Sequence, residues 1–416
     1  MSAPVEYPQR IAMVSLHTSP LATPGVGDAG GLNVYVAEVA RRLGERGIAV
    51  DVFTRAEGDG PEVVEVNEHT RVVHVEAGPR QPVAKEELPA LLPAFTEALE
   101  ARLDGHDLLH SHYWLSGQAA LPLARRHRLP MVHTMHTMAR VKNGSLRADQ
   151  AGEPDVRERG EAEVVAGADV LTANTSDEAA ELQQHYAADP ARIAVVPPGV
   201  DLHTFHACNQ PASRAQLGVD ADHDVVLFVG RIQPLKAPDV VIRAVAELVR
   251  RDPGRRERLR LIVIGSPSGP QAAWAGSLAP LAAELGVADL VELRAHSPRA
   301  ELFRWYCVCD VVAVPSHNES FGLVALEAQA CGRPVVATDV GGLRHAVRDG
   351  HTGLLVPGHE PGRWADALAA VLDDPAERAR MGANAAAHAS RFSWDNTAAA
   401  TLGAYHAARL GRARIG

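Results

Sequence analysis

VVAVPSHNESFGLVALEAQACGRPVVAT, residues 311–338, reads as a strand at Val311–Val314, a turn, a helix opened by Ser320 to Leu323, and a second strand at Val335–Thr338. Both strands are unbroken apolar runs, the pattern of strands covered on both faces of a parallel sheet, and the helix between them supplies the crossover. Outward from this unit the same alternation continues. Val225–Val229, Leu259–Ile264 and Leu290–Leu293 precede it as strands of one series. A separate series runs through Ile11–Leu16, Ala49–Thr54, Val72–Val75, Asp107–Ser111, Met131–Thr134, Val170–Ala173 and Ile193–Val196, with helical patterns such as Val34–Arg46, Glu86–Leu103 and Ser116–His127 between strands. Two such series predict an α/β chain of two Rossmann-like, doubly wound domains facing across a cleft. The turn-rich stretch VPPGVDLHTFHACNQPASR, residues 196–214, puts the boundary near Gly199. The expected domains are therefore 1–199 and 200–393, with the terminal helix, about Trp394–Leu410, packing back on the first as part of 394–416.

The 416 residues exceed what one hydrophobic core usually supports, and 46% apolar with 22% charged residues is ordinary globular composition. A net charge of −10 lacks the basic footprint that nucleic acid requires. The N-terminus MSAPVEYPQR has no basic and apolar leader pattern, and no run approaches the roughly 18 apolar residues of a membrane span, so a cytoplasmic location is expected. The four cysteines, Cys208, Cys307, Cys309 and Cys331, are too few and too unevenly spaced for a disulfide framework, which predicts reduced thiols. Only three of the 41 basic residues are lysines, Lys85, Lys142 and Lys236. In such an arginine-rich chain a retained lysine marks a place where a compact, flexible ammonium is needed.

Gly25, Gly27 and Gly30 spell G-x-G-x-x-G before a helix, but HTSPLATP separates them from the strand, and the acidic residue a dinucleotide site needs at the end of the second strand is missing. A dehydrogenase is outweighed. What survives is a loop that a ligand can approach closely and a helix start near Asn33 that favours an anion. In FVGRIQPLKAPD, Arg231 and Lys236 follow the first strand of the second series and can flank a diphosphate. Glu319 and Glu327 in ESFGLVALE stand about 12 Å apart if helical, too far for a glycosidase pair but suited to a nucleotide sugar laid along a helix start. A metal held by His110, His112, His133 and His136 lacks partner carboxylates at standard spacing. Cys307 with Cys309 reads first as buried small hydrophobes.

HTSPLATPGVGDAGGLNVYV, HSHYWLSGQ, HTMHTMARVKN, GRIQPLKAPD and NESFGLVALEAQACGRPVVATDVGGL together resemble, in order, the motifs of the family 4 retaining glycosyltransferases of GT-B fold, from about Arg10 to Phe392. The resemblance implies a hexosyltransferase that moves N-acetylglucosamine from UDP-N-acetylglucosamine to 1D-myo-inositol 3-phosphate, the first step of mycothiol biosynthesis, in a cytoplasmic homodimer. It implies that Thr23, Pro24, Gly31, Arg231, Lys236, Arg294, Glu319 and Glu327 hold the donor. His17, Asp28, Ala29, Gly30, Gly31, Leu32, Asn33, Lys85, Tyr113, Thr137 and Arg157 would hold the acceptor. Arg231, Lys236 and Glu319 would act at the reacting groups, with His136 supporting a developing oxocarbenium ion. Family members can carry magnesium near Tyr306, Cys307, Cys309 and Arg333. Here cysteines replace the usual Arg-Ala pattern and Arg333 puts a cation where a small polar residue is usual, so no cofactor is required and Mg2+ stays an open alternative. A family 4 enzyme with another phosphorylated or sugar acceptor, or a non-catalytic sugar-nucleotide-binding protein, are the competing readings.

Overall fold

The computed structural model describes residues 7–25, 29–144, 152–267 and 272–413. Contacts divide them into two compact units. One contains the chain through Pro24, Ala29 to Pro197, and Trp394 onward, while the other contains Gly25 and Pro198–Ser393.

The first unit carries β1 (Arg10–Val14), β2 (Ala49–Arg55), β3 (Val63–Asn67), β4 (Thr70–Val75), β5 (Leu108–His112), β6 (Met131–Thr134), β7 (Val170–Ala173) and β8 (Ile193–Val195), in the order β3-β4-β2-β1-β5-β6-β7-β8. All pairs are parallel except β3 with β4. β3 was not expected from the sequence, because its VVEVN pattern is exposed or half-buried along its length and forms an edge hairpin that leaves no core signature. The second unit carries β9 (Asp224–Val229), β10 (Leu259–Ile264), β11 (Val291–Arg294), β12 (Val311–Val314), β13 (Val335–Thr338) and β14 (Gly353–Val356), in the order β11-β10-β9-β12-β13-β14, all parallel. β14 was also missed, a four-residue strand opened by a glycine.

Strand directions of winding reverse once in each sheet, between β1 and β5 in the first and between β9 and β12 in the second. At such a reversal the loops from neighbouring carboxyl ends diverge to opposite faces and leave a ligand-sized crevice. The central strands there are buried throughout: Ile11, Met13, Leu109 and Met131 in one sheet, Val226, Leu227, Val312 and Val336 in the other. The helix Trp394–Ala413 returns to the first unit, where Trp394 meets Tyr35 edge-on and Tyr405 bonds His110. Among the described residues no helix is long and apolar enough to cross a membrane.

Against the expectation of free thiols, Cys208 and Cys307 form a disulfide spanning 99 residues of sequence. Linear spacing hid the pair. Cys208 precedes the helix Gln210–Leu217, whose Gln210 and Arg214 side chains donate to the Val308 carbonyl at the end of the helix Arg299–Val308. Cys309 and Cys331 are buried and unpaired with another cysteine.

Candidate active site

In the first unit, the loop after β1 and the ends of β5 and β6 bring the expected acceptor residues together. His17 stacks on Tyr113, with ring centres 4.4 Å apart. Lys85 and Arg157 each sit about a cation–π distance from the same ring, at 5.1 and 5.0 Å. Arg157 donates to the Thr137 hydroxyl at 2.9 Å. Burial, then the Lys85 and Arg157 charges, push the His17 imidazole down to about 3, so it stays neutral. Its Nδ1 is buried with no hydrogen-bond partner. A pocket with two fixed cations, a neutral imidazole and an unsatisfied ring nitrogen suits an oxyanion bearing hydroxyls.

The backbone is strained where it delivers these groups. Tyr113, which starts the helix Trp114–Arg126, has φ 70°, and His136 has φ 61°; both lie in the left-handed region that side chains with a Cβ avoid. Asn33 sits at the start of the helix Gly31–Gly44, but its side chain is fully engaged. It donates to the Thr18 hydroxyl and the Ser19 carbonyl and accepts from the Gly30 amide, so it shapes the loop after β1. Ala29 is buried, Gly30 and Leu32 are half-buried, and Gly31 is exposed at the helix start. Thr23 is exposed and Pro24 half-buried in the same loop. Asp28 lies outside the described residues.

His136 belongs to a buried histidine group. Its Nε2 lies 3.0 Å from His112 Nδ1, His110 bonds Tyr405 and Thr134, and His133 bonds Ser111. Burial drives all four imidazoles to low pKa, His110 and His133 to about 3. The group is a neutral hydrogen-bonded layer. Among the described residues no three His, Cys, Asp or Glu are arranged to hold a metal.

Residues the sequence reading did not assign complete this half-site. Arg157 bonds Glu161 at 2.7 Å and pairs with Glu153 at 2.8 Å, and Lys142 pairs with Glu153 at 2.9 Å. Glu161 also accepts from the Ala139 amide and the Tyr186 hydroxyl. The spacing of Arg157 and Glu161 was a readable signal, since residues four apart on a helix share a face.

In the second unit the loops after β9 and β12 meet. Lys236 bonds Glu319 at 2.5 Å, and the His317 amide donates to the Leu235 carbonyl, which ties the two loops together. Arg231 is half-buried in the first of them. The helix starts at Leu323, later than the sequence suggested, with Gly322 at φ 96° before it and no side-chain cap; Glu319 therefore lies on the loop and not on the helix. Gly341 and Gly342 let the chain after β13 press on that loop: a Cβ on Gly342 would come 2.2 Å from the Ser320 carbonyl oxygen. Uncapped amides at Leu323 and beyond favour an anion. Glu327 accepts from the Tyr306 hydroxyl at 3.0 Å, and burial pushes its carboxyl up. Arg294, at the end of β11, lies over the Trp305 ring at 4.3 Å and pairs with Glu292.

The side chains of the residues expected near magnesium do not offer it oxygen ligands. Magnesium takes oxygen ligands. The Tyr306 hydroxyl is engaged with Glu327, Cys307 is in the disulfide, the Cys309 thiol is buried and pushed up to about 12, and Arg333 is a guanidinium 3.7 Å from Cys208 Sγ.

Two family models match, Glycosyltransferase Family 4 over residues 29–204 and Glycosyl transferases group 1 over residues 209–388. The chain is 56% identical to D-inositol 3-phosphate glycosyltransferase of Kineococcus radiotolerans, covering 97% of each. It is 54% identical to the protein of that name from Geodermatophilus obscurus, covering 96% of this chain and 90% of the relative. Among solved structures, sucrose-phosphate synthase from Thermosynechococcus elongatus is 32% identical with a TM-score of 0.87, covering 98% of this chain and 99% of that one. Anabaena Alr3699/HepE, solved with UDP-glucose, shares the fold at 21% identity with a TM-score of 0.75, covering 95% of this chain and 99% of that one. On matches of this extent, the chain belongs to the D-inositol 3-phosphate glycosyltransferases, family 4 enzymes of GT-B fold.

Proposed function

We propose that the protein is a retaining hexosyltransferase that transfers N-acetylglucosamine from UDP-N-acetylglucosamine to 1D-myo-inositol 3-phosphate, the opening step of mycothiol biosynthesis. The observation that carries the acceptor is the cluster of Lys85, Arg157, Thr137 and His17 around Tyr113, built for a phosphate ester bearing hydroxyls. Relatives more than half identical over nearly the whole chain carry the matching name.

On this reading Arg231, Lys236 and the amides opening the helix at Leu323 take the diphosphate, Glu319 the sugar and Glu327 the ribose. An inositol hydroxyl attacks the anomeric carbon as the bond to the diphosphate oxygen breaks. Its proton passes to a leaving diphosphate oxygen on the same face, so configuration is retained without a carboxylate nucleophile. Arg231 and Lys236 stabilise the charge that grows on the departing UDP. The reading extends to a cytoplasmic homodimer, carried by the resemblance of the motifs.

The test is turnover by the purified protein with product analysis. UDP release that depends on inositol 3-phosphate, with a phosphorylated N-acetylglucosaminyl-inositol of retained configuration as product, is expected. No release with that pair removes the proposal.

A further inference from the structure

The acceptor half-site already contains an anion. Glu153 reaches both Arg157 and Lys142, at 2.8 and 2.9 Å. Burial alone would raise its carboxyl, but the Arg157 and Lys142 charges, with Lys85 behind them, hold it at about 2. The three cations thus converge on one carboxylate. Burial, and then the Arg157 and Lys85 charges, also lower the Lys142 ammonium, which places it within the same field.

Arg157 is 1% exposed: its Nε bonds Glu161, 0% exposed, its Nη2 bonds Thr137, and its buried Nη1 makes no hydrogen bond and has only the ion pair with Glu153. Nη1 is therefore the edge a phosphate can gain, provided that Glu153 yields. Glu161 is pinned by the Ala139 amide and the Tyr186 hydroxyl. Glu153 is 22% exposed and lies just before the helix Asp155–Gly167, and its partner Lys142 is 30% exposed. Of the two carboxylates, Glu153 is the one solvent and ligand can reach.

We propose that Glu153 is a built-in counter-anion that occupies the acceptor's phosphate position, and that the phosphate displaces it and takes Lys142 as an additional ligand beside Lys85 and Arg157. Displacement exchanges a carboxylate for a phosphate that carries more charge and three acceptor oxygens. An unphosphorylated polyol cannot make that exchange, so the pair Glu153 and Lys142 screens acceptors for the phosphate. Glu153 is a positioning residue and Lys142 a binding residue.

The inference rests on the phosphorylated acceptor proposed above, and the two fail differently. Inorganic phosphate is the probe, measured by calorimetry on the whole protein without donor, alongside the Michaelis constants for both substrates. E153Q is expected to tighten inorganic phosphate and lower the inositol 3-phosphate KM, each about 3- to 10-fold, with donor KM unchanged. K142Q is expected to weaken both about 10-fold, and K142R to recover most of the loss. If E153Q weakens phosphate binding, the carboxylate builds the site and the inference falls. It also falls if K142Q leaves phosphate binding unchanged. Failure of the native enzyme to use inositol 3-phosphate, while the phosphate affinities shift as stated, overturns the proposed acceptor and leaves the anion exchange standing.

Discussion

In the first unit, Arg157 and Glu161 are 1% and 0% exposed and clamp each other at 2.7 Å, whereas in the second Lys236 and Glu319 are each 20% exposed and meet on two loops. One half-site is a buried, internally neutralised charge lattice and the other a part-exposed pair that solvent screens. The difference teaches where stability and rate separate. A buried ion pair that loses one member leaves a stranded charge, while a part-exposed pair loses little folding energy when cut. The acceptor half-site is part of what holds its unit together, and the Lys236–Glu319 pair of the donor half-site is an attachment to a core complete without it.

The largest effect should come from cutting the buried lattice. Arg157→Ala strands Glu161 and is expected to cost about 3–5 kcal/mol of stability, read by urea unfolding, and to abolish measurable acceptor saturation. Adding Glu161→Gln should return part of the stability and none of the activity. If the single variant unfolds like the native protein, the contrast between the half-sites is wrong. Next, Lys236→Ala should lower kcat by about 10²–10³ through lost stabilisation of the leaving diphosphate, with stability changed by less than about 1 kcal/mol. A stability loss as large as that of Arg157→Ala would erase the distinction. Smaller again, Tyr306→Phe removes the hydroxyl that donates to Glu327 and leaves a buried carboxylate oxygen unpartnered, a cost of about 1–3 kcal/mol. Donor KM should rise about 10-fold while acceptor KM holds; an equal rise in both would show that the two half-sites are not separable.

The same contrast explains what was legible in the sequence. The strands at the two reversals, among them Val311–Val314 and the IAMV of Arg10–Val14, are continuous apolar runs because both sheet faces are covered, so their positions could be read directly. The donor loops were legible as well, since Arg231, Lys236, Glu319 and Glu327 lie in short motifs next to those strands. The acceptor lattice was only partly legible. Lys85 and Arg157 came through resemblance, while Glu153 and Lys142 went unassigned because their importance is a matter of mutual distance between segments. The three loop hydrogen bonds of Asn33 are invisible to pattern. The Cys208–Cys307 bond escaped for the same reason.

The smallest prediction separates the half-sites by the sign of a pH effect. Glu153 is held at about 2, below its ordinary 4.5, so the stability it contributes is fully present above about pH 4.5 and is lost as pH falls through 2. The loss is at most about 3 kcal/mol, less what solvent screens at a partly exposed group. Glu327 is pushed above 4.5 by burial, so its contribution is present below about pH 4.5 and is lost as pH rises through the elevated value. Hydrogen exchange resolves the two, read on the helices Asp155–Gly167 and Leu323–Ala330. Acidification from pH 6 toward 3 should lower the protection factors of the first helix and raise those of the second, once the slower intrinsic exchange at acid pH is divided out. Glu153→Gln should flatten the first response and Glu327→Gln the second, each leaving the other intact. Two responses of the same sign would mean that the carboxylates share one electrostatic environment, and the description of a charge lattice in one unit and a screened pair in the other would not hold.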